Sequence, residues 1–514
     1  MKITFTTFAF LLFLLSNVYA QRPVQTIKGV VLDNTSNQPI PSASITIMDS
    51  NKGAVTDSSG NFSLSEIPVG YYNLQISAVG YESFMLNDVL VTSAKQTLLT
   101  VFLKERVKTL SEIIIQTKVN KHLPLNATAT VSAKMLSVEE ARKYAGGFDD
   151  PARLVSSFAG VSSNIGNNGI VVRGNNANFL QWRLEGVEIP NPNHFADNFV
   201  FGGGVLSALS IHNMGNSDFF SGAFPAEYSN ALSGVFDMNL KKATNGKKER
   251  TIQVGLTGLD YAEEGPFKKG GKATYIYNYR YSTLELIRPL LPEDGGKGVK
   301  YQDVSFKLNF PTSKAGTFSI WGIGLKDYTG LKAKTDTLNW ETLVDRQDHD
   351  INYYMGAAGI THKHFLNRKS FVKSTIAATT NSIDFSIEQL QKNGNYISES
   401  IVKNTSSSFI VTSLVSTKFN SKISNKSGIS ATNLRYNLQL SKYDASIVAE
   451  RGNSFLLNAY TNTAVHFSDK LTLNAGFNAQ LFTLNNNYTL EPRAAVKYQL
   501  RKNQLISFGY GIHS

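Results

Sequence analysis

The stretch Leu471-Thr-Leu-Asn-Ala-Gly-Phe-Asn-Ala-Gln-Leu481 alternates apolar and polar residues along its whole length. The runs from Val304 to Phe310 and from Ala494 to Leu500 follow the same pattern. Successive side chains of a strand point to opposite faces, so each run gives a strand with one apolar and one polar face. Strands of about ten residues of this kind are typical of a membrane β-barrel with lipid outside and water inside. The pattern therefore predicts a barrel over residues 243–514, with a soluble sandwich as the alternative.

The connections between these strands predict how the barrel is oriented. Ser468–Lys470 and Arg501–Asn503 are short, as periplasmic turns are, whereas the polar stretches Leu331–Asp350 and Gln389–Ser408 suit longer outer loops. The last strand, Leu505–His513, then runs outward. The region has room for about a dozen strands, and bacterial single-chain barrels have an even number that ends on an inward strand. We therefore expect a barrel that is truncated.

The first twenty residues have the features of a secretory signal. Lys2 supplies the positive charge, Ala9–Leu15 the apolar core, and Val18-Tyr-Ala20 a small-residue cleavage site before Gln21. The apolar run is much shorter than the roughly 20 residues of a spanning helix. We therefore predict a cleaved signal peptide at residues 1–20 and an exported mature chain.

Composition argues against several classes of function. The chain has no Cys, which excludes disulfides, a lipid-modified cysteine and thiol catalysis. Its net charge of +12 comes from dispersed Lys and Arg, which favours anionic lipid headgroups or solubility over nucleic acid. His362 and His364 lie on one face of a predicted strand without a third ligand, so a polar barrel wall is favoured over a metal site. We predict no enzyme, cofactor or metal.

Residues 21–107 predict a small β-sandwich, because short strands alternate with Gly, Asn and Asp turns. The segment resembles the carboxypeptidase-regulatory-like, transthyretin-like module. The absence of His from the segment indicates a non-catalytic accessory domain. The resemblance is carried by Gly29-Val-Val31, Gln38-Pro-Ile-Pro41, Thr56-Asp-Ser-Ser-Gly-Asn-Phe62, Ile67-Pro-Val-Gly-Tyr71 and Ser77-Ala-Val-Gly-Tyr81.

Residues 123–242 differ from the predicted sandwich in their pattern, which predicts two helices followed by glycine-rich motifs. The first covers Val138–Tyr144, with Ser137 as N-cap and Glu140 completing a capping box. The second covers Asp150–Phe158, with Asp150 as N-cap and Pro151 at the first helical position. Glycine-rich motifs follow in the order Gly160-Val161, Val172-Arg-Gly174, Leu184-Glu-Gly-Val-Glu-Ile-Pro190, Ala226-Glu-Tyr228 and Ser233-Gly-Val-Phe-Asp237.

This order of motifs resembles the plug domain of TonB-dependent outer-membrane receptors of the Bacteroidetes type. The resemblance implies a plug that closes the lumen of a barrel of 22 strands. It also implies a structural or gating role for the motif residues. Two of them, Arg173 and Glu185, are either buried polar partners inside the barrel or exposed on the surface. The plug-motif residues are Arg173, Gly174, Glu185, Gly186 and Pro190.

Between the predicted sandwich and plug, residues 108–122 form a linker that contains the stretch Leu110–Thr117. Three consecutive β-branched residues favour an extended strand. From local sequence it is either the last strand of the sandwich or an edge for another chain to pair with. The resemblance implies the second, because the stretch matches the box through which TonB binds such receptors. The box residues are Glu112, Ile113, Ile114, Ile115, Gln116 and Thr117.

Together these features predict a mainly β protein of the outer membrane. A β-sandwich and a small α+β plug, both reached from the periplasm, precede a partial antiparallel barrel. The resemblance implies energised uptake of a bulky nutrient such as a siderophore, glycan or peptide. The implied partners are the TonB complex, outer-membrane lipid and the nutrient, with a possible surface lipoprotein. The alternative is a surface-binding or adhesin-like protein without energised transport.

Overall fold

A computed structural model describes most of the chain. The described residues are 23–48, 50–107, 124–144, 147, 150–163, 167–197, 202–243, 246–255, 258–283, 296–501 and 504–514. The predicted signal peptide and the predicted box, Glu112–Thr117, lie outside these residues.

The N-terminal region is a β-sandwich, as the turn-rich sequence predicted. One sheet has the order β4-β1-β7 and the other the order β3-β2-β5-β6, and only β1 and β7 pair in parallel. Alternation fixes the core, because Ile45 and Ile47 are buried while Ser44 and Thr46 are exposed. Its strands are β1 (Val24–Asp33), β2 (Ser44–Ile47), β3 (Gly53–Val55), β4 (Asn61–Pro68), β5 (Gly70–Ser77), β6 (Phe84–Val91) and β7 (Thr97–Leu103).

The next region, which we call the plug, is a small α+β unit. Its main sheet has the order β12-β11-β16-β15-β8, with β11 and β16 parallel. In its core Trp182 stacks on Phe236, with ring centroids 4.5 Å apart. The elements are β8 (Ala133–Leu136), α1 (Val138–Lys143), α2 (Pro151–Leu154), β9 (Val161–Ser162), β10 (Val171–Val172), β11 (Leu180–Leu184), β12 (Val187–Ile189), β13 (Asn193–His194), β14 (Leu206–Ser207), β15 (Ser217–Phe220) and β16 (Gly234–Met238).

The two plug helices are shorter than predicted, and one cap is wrong. Ser137 precedes α1, but its side chain makes no capping hydrogen bond. The Val138 N–H donates to Asn216 Oδ1 at 3.4 Å, so a distant residue supplies a side-chain acceptor at this helix start. Asp150 caps α2 as predicted and accepts from the Ala152 N–H at 2.9 Å. A short 3₁₀ turn, Val155–Ser157, continues α2. None of the helices in the described part of the chain is long and apolar enough to cross a membrane.

Thirteen strands then form one antiparallel sheet in chain order, which we call the barrel sheet. We name its two ends by their connections. The turn end carries 267–273, 312–316, 366–369, 419–422 and 467–470, and the loop end carries 332–346, 391–395, 443–444 and 483–486. The strands are β17 (Glu249–Gly255), β18 (Gly258–Pro266), β19 (Thr274–Tyr281), β20 (Gly296–Pro311), β21 (Thr317–Leu331), β22 (Gln347–Phe365), β23 (Ser370–Leu390), β24 (Tyr396–Lys418), β25 (Ile423–Lys442), β26 (Ala445–His466), β27 (Leu471–Phe482), β28 (Asn487–Arg501) and β29 (Gln504–Gly511).

The number of strands agrees with the prediction, and the lengths of β18, β19, β27 and β29 are close to ten residues, but the longest strands are not. Strands β22 to β26 have 19 to 23 residues instead of about ten. The stretch Gln389–Ser408 is mainly strand, and its loop is confined to residues 391–395. Its Ser, Thr and β-branched residues pair with β23 on one side and β25 on the other, which extends the ladder into a sequence polar enough for a loop.

The polar face of the barrel sheet is the buried one. In β27, Phe477 and Leu481 are 41% and 36% exposed, whereas Asn474 and Asn478 between and beside them are 5% and 0% exposed. A soluble sandwich would bury the opposite set, because its core is built from the apolar faces of its sheets. The arrangement is that of a barrel whose apolar face points outward.

The inner face packs against the plug. On one side the contact is apolar, where Trp321, Met355 and Ile410 of the barrel sheet join the plug core. On the other side it is polar. Arg493 donates to the Pro225 carbonyl at 2.8 Å, and Asn478 donates to the Ala226 carbonyl at 2.7 Å. The plug therefore occupies the concave side of the sheet.

We expect an outward charge to destabilise the barrel sheet far more than an inward one. The test variant is Phe409→Arg, because Phe409 is half exposed on the outward face. The control is Ser408→Arg, because the neighbouring Ser408 faces a cavity on the inner side. In phospholipid vesicles F409R should lower the free energy of unfolding by about 2–4 kcal/mol, because a cation near the bilayer midplane loses its hydration. Equal losses for F409R and S408R would contradict the assignment of faces.

Candidate functional site at the interface of plug and barrel

The motif Leu184-Glu-Gly-Val187 forms a two-residue hairpin between β11 and β12. Leu184 pairs with Val187, and the φ angles of Glu185 and Gly186 are 54° and 91°. Positive φ at both central residues is the signature of a type I′ turn, which matches the twist of the flanking strands. The backbone conformation of this turn therefore explains why Gly follows Glu185 in the motif.

The hairpin also carries a contact to the barrel sheet. The buried Glu185 carboxylate accepts from Lys307 Nζ at 2.6 Å and from the Leu240 N–H at 2.8 Å. Lys373 Nζ donates to the Glu185 carbonyl oxygen at 2.9 Å. Burial raises the pKa of Glu185, but the charges of Lys307 and Lys373 outweigh burial and hold the pKa below its usual value. Glu185 is a charged partner of the barrel at neutral pH.

Arg173, in contrast, is exposed. Of the two alternatives for this pair, burial therefore holds for Glu185 and surface exposure holds for Arg173. Arg173 and Gly174 form an exposed turn with φ angles of 52° and 81°, and the guanidinium donates to Ser132 Oγ at 2.9 Å. Pro190 is half-buried after β12 and lines the cavity described below. The structure does not bring Arg173 and Glu185 together. A gating role for any of the five motif residues stays a prediction.

A residue that the sequence did not reveal, Asp218, holds the start of the plug. Its carboxylate, buried in β15, accepts from the N–H groups of Leu125 at 2.8 Å and Asn126 at 2.7 Å. Burial raises the pKa of Asp218 to about 7, and the two N–H donors only partly offset burial. Leu125 and Asn126 directly follow the segment that contains the predicted box. The only signal was a charge next to Phe219 and Phe220.

The same segment is tied to the barrel through Glu227. Asn126 Nδ2 donates to the Glu227 carboxylate at 2.5 Å and to Tyr228 Oη at 2.9 Å. Glu227 in turn forms an ion pair with Lys426 of β25, with a nitrogen–oxygen distance of 2.6 Å. Movement of Asn126 would therefore disturb a chain of contacts that reaches the barrel sheet.

At the opposite side of the plug, His194 lies between two carboxylates of the barrel sheet. One ring nitrogen contacts Asp327, and the other contacts Asp303 at 2.8 Å. Arg280 forms a second ion pair with Asp303 at 2.7 Å. A histidine with a carboxylate on each nitrogen donates from both, so it is the imidazolium. Burial alone would lower the pKa of His194, but the two carboxylates raise it.

His362 and His364, the residues of the predicted polar barrel wall, contact aromatic rings and a backbone carbonyl. The two rings stack with centroids 6.0 Å apart, and His362 stacks on Phe318 at 4.3 Å. His362 Nε2 also contacts the Ala315 carbonyl at 2.6 Å. Among the described residues, no group of three His, Asp or Glu side chains is arranged to hold a metal ion.

A cavity of about 890 Å³ separates part of the plug from the barrel sheet. Its barrel wall belongs to β20–β26 and is rich in Ser, Thr and Asn, and its plug wall includes the Glu185–Pro190 hairpin. Residues of the sandwich line it at the turn end. The lining of the cavity is mixed, with apolar groups among the polar ones, and the cavity lies beside the contacts that hold the plug.

Comparison with known families identifies the first domain. A family model described as a CarboxypepD_reg-like domain matches residues 27–115. That range includes the sandwich and continues through Ile115, and thus into the predicted box. The boundary at residue 107 and the box itself stay predictions. No curated protein matches the chain.

Solved structures identify the fold of the plug and barrel sheet. A mutant of the ferric enterobactin receptor PfeA from Pseudomonas aeruginosa matches with a TM-score of 0.53 at 10% identity, over 74% of this chain and 62% of that one. The pyoverdine outer membrane receptor FpvA from Pseudomonas aeruginosa PAO1 matches with a TM-score of 0.55 at 11% identity over the same shares. The siderophore receptor PirA from Acinetobacter baumannii matches with a TM-score of 0.50 at 13% identity, over 73% of this chain and 59% of that one.

The chain therefore has the fold of outer-membrane receptors, a plug set inside a β-barrel. With its CarboxypepD_reg-like domain in front, it has the architecture that the resemblance to TonB-dependent receptors implied, and the prediction of fold is confirmed. The chain spans less than two thirds of the length of the structures it matches.

We expect Asp218 to protect the start of the plug from local opening. Replacement by Ala removes both acceptors of the Leu125 and Asn126 N–H groups, at a cost of about 2 kcal/mol. Amide hydrogen exchange at these two residues should then become more than about tenfold faster. Asp57→Ala is a matched control, because Asp57 accepts from the Ser59 and Asn61 N–H groups in the sandwich. Unchanged exchange in D218A would refute the role of Asp218.

We expect stability to depend on pH through His194. Because the folded pKa is raised above 6.5, the stabilisation is complete below pH 6.5 and is lost as the pH rises through the folded pKa. His194→Gln should flatten this dependence and lower stability by about 3 kcal/mol, because Gln removes the positive charge between the two buried carboxylates. Among the described residues, Asp303 then keeps only Arg280, and Asp327 keeps only the Phe195 N–H. The midpoint of thermal unfolding between pH 5 and pH 9 measures both effects. His362→Gln, on the outward face, should keep the wild-type profile.

Proposed function

We propose that this protein is an outer-membrane receptor that imports a bulky nutrient with energy supplied by TonB. The observation that carries the proposal is the plug, which occupies the concave side of the barrel sheet and is tied to it by ion pairs of Glu185 and Glu227. Such a plug would deny passive diffusion. Import would then need a force that loosens these contacts.

The contacts at the start of the plug support a pulling mechanism. The described chain resumes at residue 124, and Leu125 and Asn126 are held by Asp218 and Glu227 within a few residues of the proposed box. Pairing of Glu112–Thr117 with a strand of TonB would transmit force through several backbone hydrogen bonds at once. A pull there would act first on the Asp218 contacts. These are polar and can be replaced by water.

The outward face of the barrel sheet supports a location in the outer membrane. It is apolar where the inner face is polar, as lipid on one side and the plug on the other require. In this proposal the turn end faces the periplasm, where TonB acts, and the loop end faces the outside. The sandwich, which precedes the plug, is then periplasmic.

Among nutrients, ferric siderophores are the first class to test. The structures with this fold are described as receptors for enterobactin, pyoverdine or siderophores. Glycans and peptides are tested as well, because the likeness to these structures is one of fold and does not specify the nutrient. The sequence alternative, a surface-binding protein without energised transport, predicts binding without uptake.

We expect the box to be required for uptake but not for binding. Ile114→Pro removes a backbone donor and disfavours a paired strand, whereas Ile114→Val keeps a β-branched residue at the same position. In cells that lack other siderophore receptors, uptake of ⁵⁵Fe-labelled enterobactin or pyoverdine should fall to background with I114P and stay at wild-type level with I114V. Binding of the same probe to cells should be equal for both.

Three results would separate the possibilities. Uptake that survives I114P would refute coupling through the box. Binding without uptake by the wild-type chain would support the surface-binding alternative. If neither siderophore binds, the same pair of variants is tested with labelled oligosaccharides and peptides, and the class that shows box-dependent uptake identifies the nutrient.

A further inference from the structure

The sandwich is attached to the turn end of the barrel sheet by a partly buried ion pair. Lys418, the last residue of β24, pairs with Asp33 and with Glu105, the latter at 2.7 Å. Asp33 is buried, and its carboxylate also accepts from the Ser36 N–H at 2.7 Å. Lys418 further lies over the Tyr81 ring at 5.9 Å. One barrel lysine thus contacts three parts of the sandwich.

Other polar contacts surround this ion pair. Lys363 donates to Asn37 Oδ1 at 2.7 Å, and the Val107 N–H donates to Asp469 at 2.8 Å. On the other side, the Gln96 N–H donates to Glu249 at 3.2 Å. All the barrel partners lie at strand ends or in connections of the turn end. The interface is polar, which makes it able to open in water.

The sandwich also forms the end wall of the cavity between plug and barrel sheet. Part of β1 and the loop after it face the cavity at the turn end. From there the cavity extends along the barrel wall as far as Ser408 and Leu456, in the middle of their strands. Anything that leaves the cavity toward the turn end would meet the sandwich. The sandwich residues in this wall are Val30, Leu32, Asn34, Thr35, Asn37, Pro39 and Ser59.

We propose that the sandwich is a lid that closes the turn end of the cavity, with Lys418 as its latch. This inference rests on the proposed function and assigns a regulatory role to the N-terminal domain. Glu105 and Val107 precede the predicted box, and Leu125 and Asn126 follow it. A pull on the box therefore acts on the lid from one side and on the plug from the other. One force opens both.

Charge reversal of the latch should open the lid. Lys418→Glu places a third carboxylate beside Asp33 and Glu105, and a buried charge without its partner is unfavourable. Lys418→Arg keeps the charge and is the matched control. Glu105→Lys, at a more exposed position, is a second opening variant for the case in which K418E does not fold. It should open the lid in the same direction by a smaller factor.

Thiol labelling measures opening without a ligand or TonB. The chain has no Cys, so Thr412→Cys puts a single thiol in the cavity wall, and Lys392→Cys puts one in the exposed connection 391–395 as a control. In the purified full chain, a polar fluorescent maleimide should label Thr412→Cys at least about tenfold faster with K418E than with K418R. Labelling of Lys392→Cys should be the same in both. Equal rates at position 412 with K418R, K418E and E105K would overturn the proposal.

A covalent lock tests the coupling to uptake. Ser416 Oγ lies 3.5 Å from the Thr35 carbonyl across the interface, so Thr35→Cys and Ser416→Cys can be bridged by a short bismaleimide. Ser44→Cys with Ser77→Cys, a cross-strand pair inside the sandwich, is the control bridge. The first bridge should abolish uptake of the labelled siderophore, and the second should not. Uptake through the bridged protein would overturn the proposal that the sandwich is a lid. If the unbridged protein does not import the siderophore, the result counts against the proposed function alone, and the thiol-labelling rates then decide whether the sandwich is a lid.

Discussion

The polar inner face of the barrel sheet is the constraint on which the rest of the structure depends. Buried amides and charges are unfavourable unless they are hydrogen-bonded, so strands such as β27 and β28 need polar partners on their concave side. The plug supplies them as carbonyl groups at Pro225, Ala226 and Tyr228, which accept from Asn478 and Arg493. The outward face can then carry apolar side chains such as Phe409 and Phe477, which are exposed. One face of the sheet therefore suits lipid, and the other suits the polar plug.

The plug is held differently on its two sides. Against β21–β24 the contact includes a shared apolar core around Trp321, which excludes water and resists displacement. Against β25–β28 the contacts are made by amides, one lysine and an arginine, for which water can substitute. Inward lysines near the turn end extend this polar attachment. Lys307 and Lys426 pair with the plug, and Lys418 pairs with the sandwich. The movable contacts thus lie where the proposed pull would arrive.

Much of the fold could be predicted because it rests on local patterns. Alternation predicted the strands and the number of them, and the order of motifs predicted a plug. The errors arose where tertiary contacts overrode local signals. Ser137 makes no capping hydrogen bond, and the acceptor at the start of that helix is Asn216, which is distant in sequence. Pairing on both sides extends β24 through a sequence polar enough for a loop. Asp218 and His194 were missed because their partners lie 92 to 133 residues away, a distance at which spacing carries no signal.

The sequence by itself determined that the C-terminal region consists of strands, and that runs such as Leu471–Leu481 have one apolar and one polar face, because both follow from side-chain periodicity. It left open whether alternation meant a sandwich or a barrel, and whether Glu185 and Arg173 were buried. Only the tertiary structure decided these points. Burial of Asn478 and exposure of Phe477 show that the polar face of the sheet points inward and the apolar face outward. The ion pair with Lys307 stabilises the buried carboxylate of Glu185. The physical reason is that the solvent on each face and the partner of each charge are set by chain segments far apart in sequence.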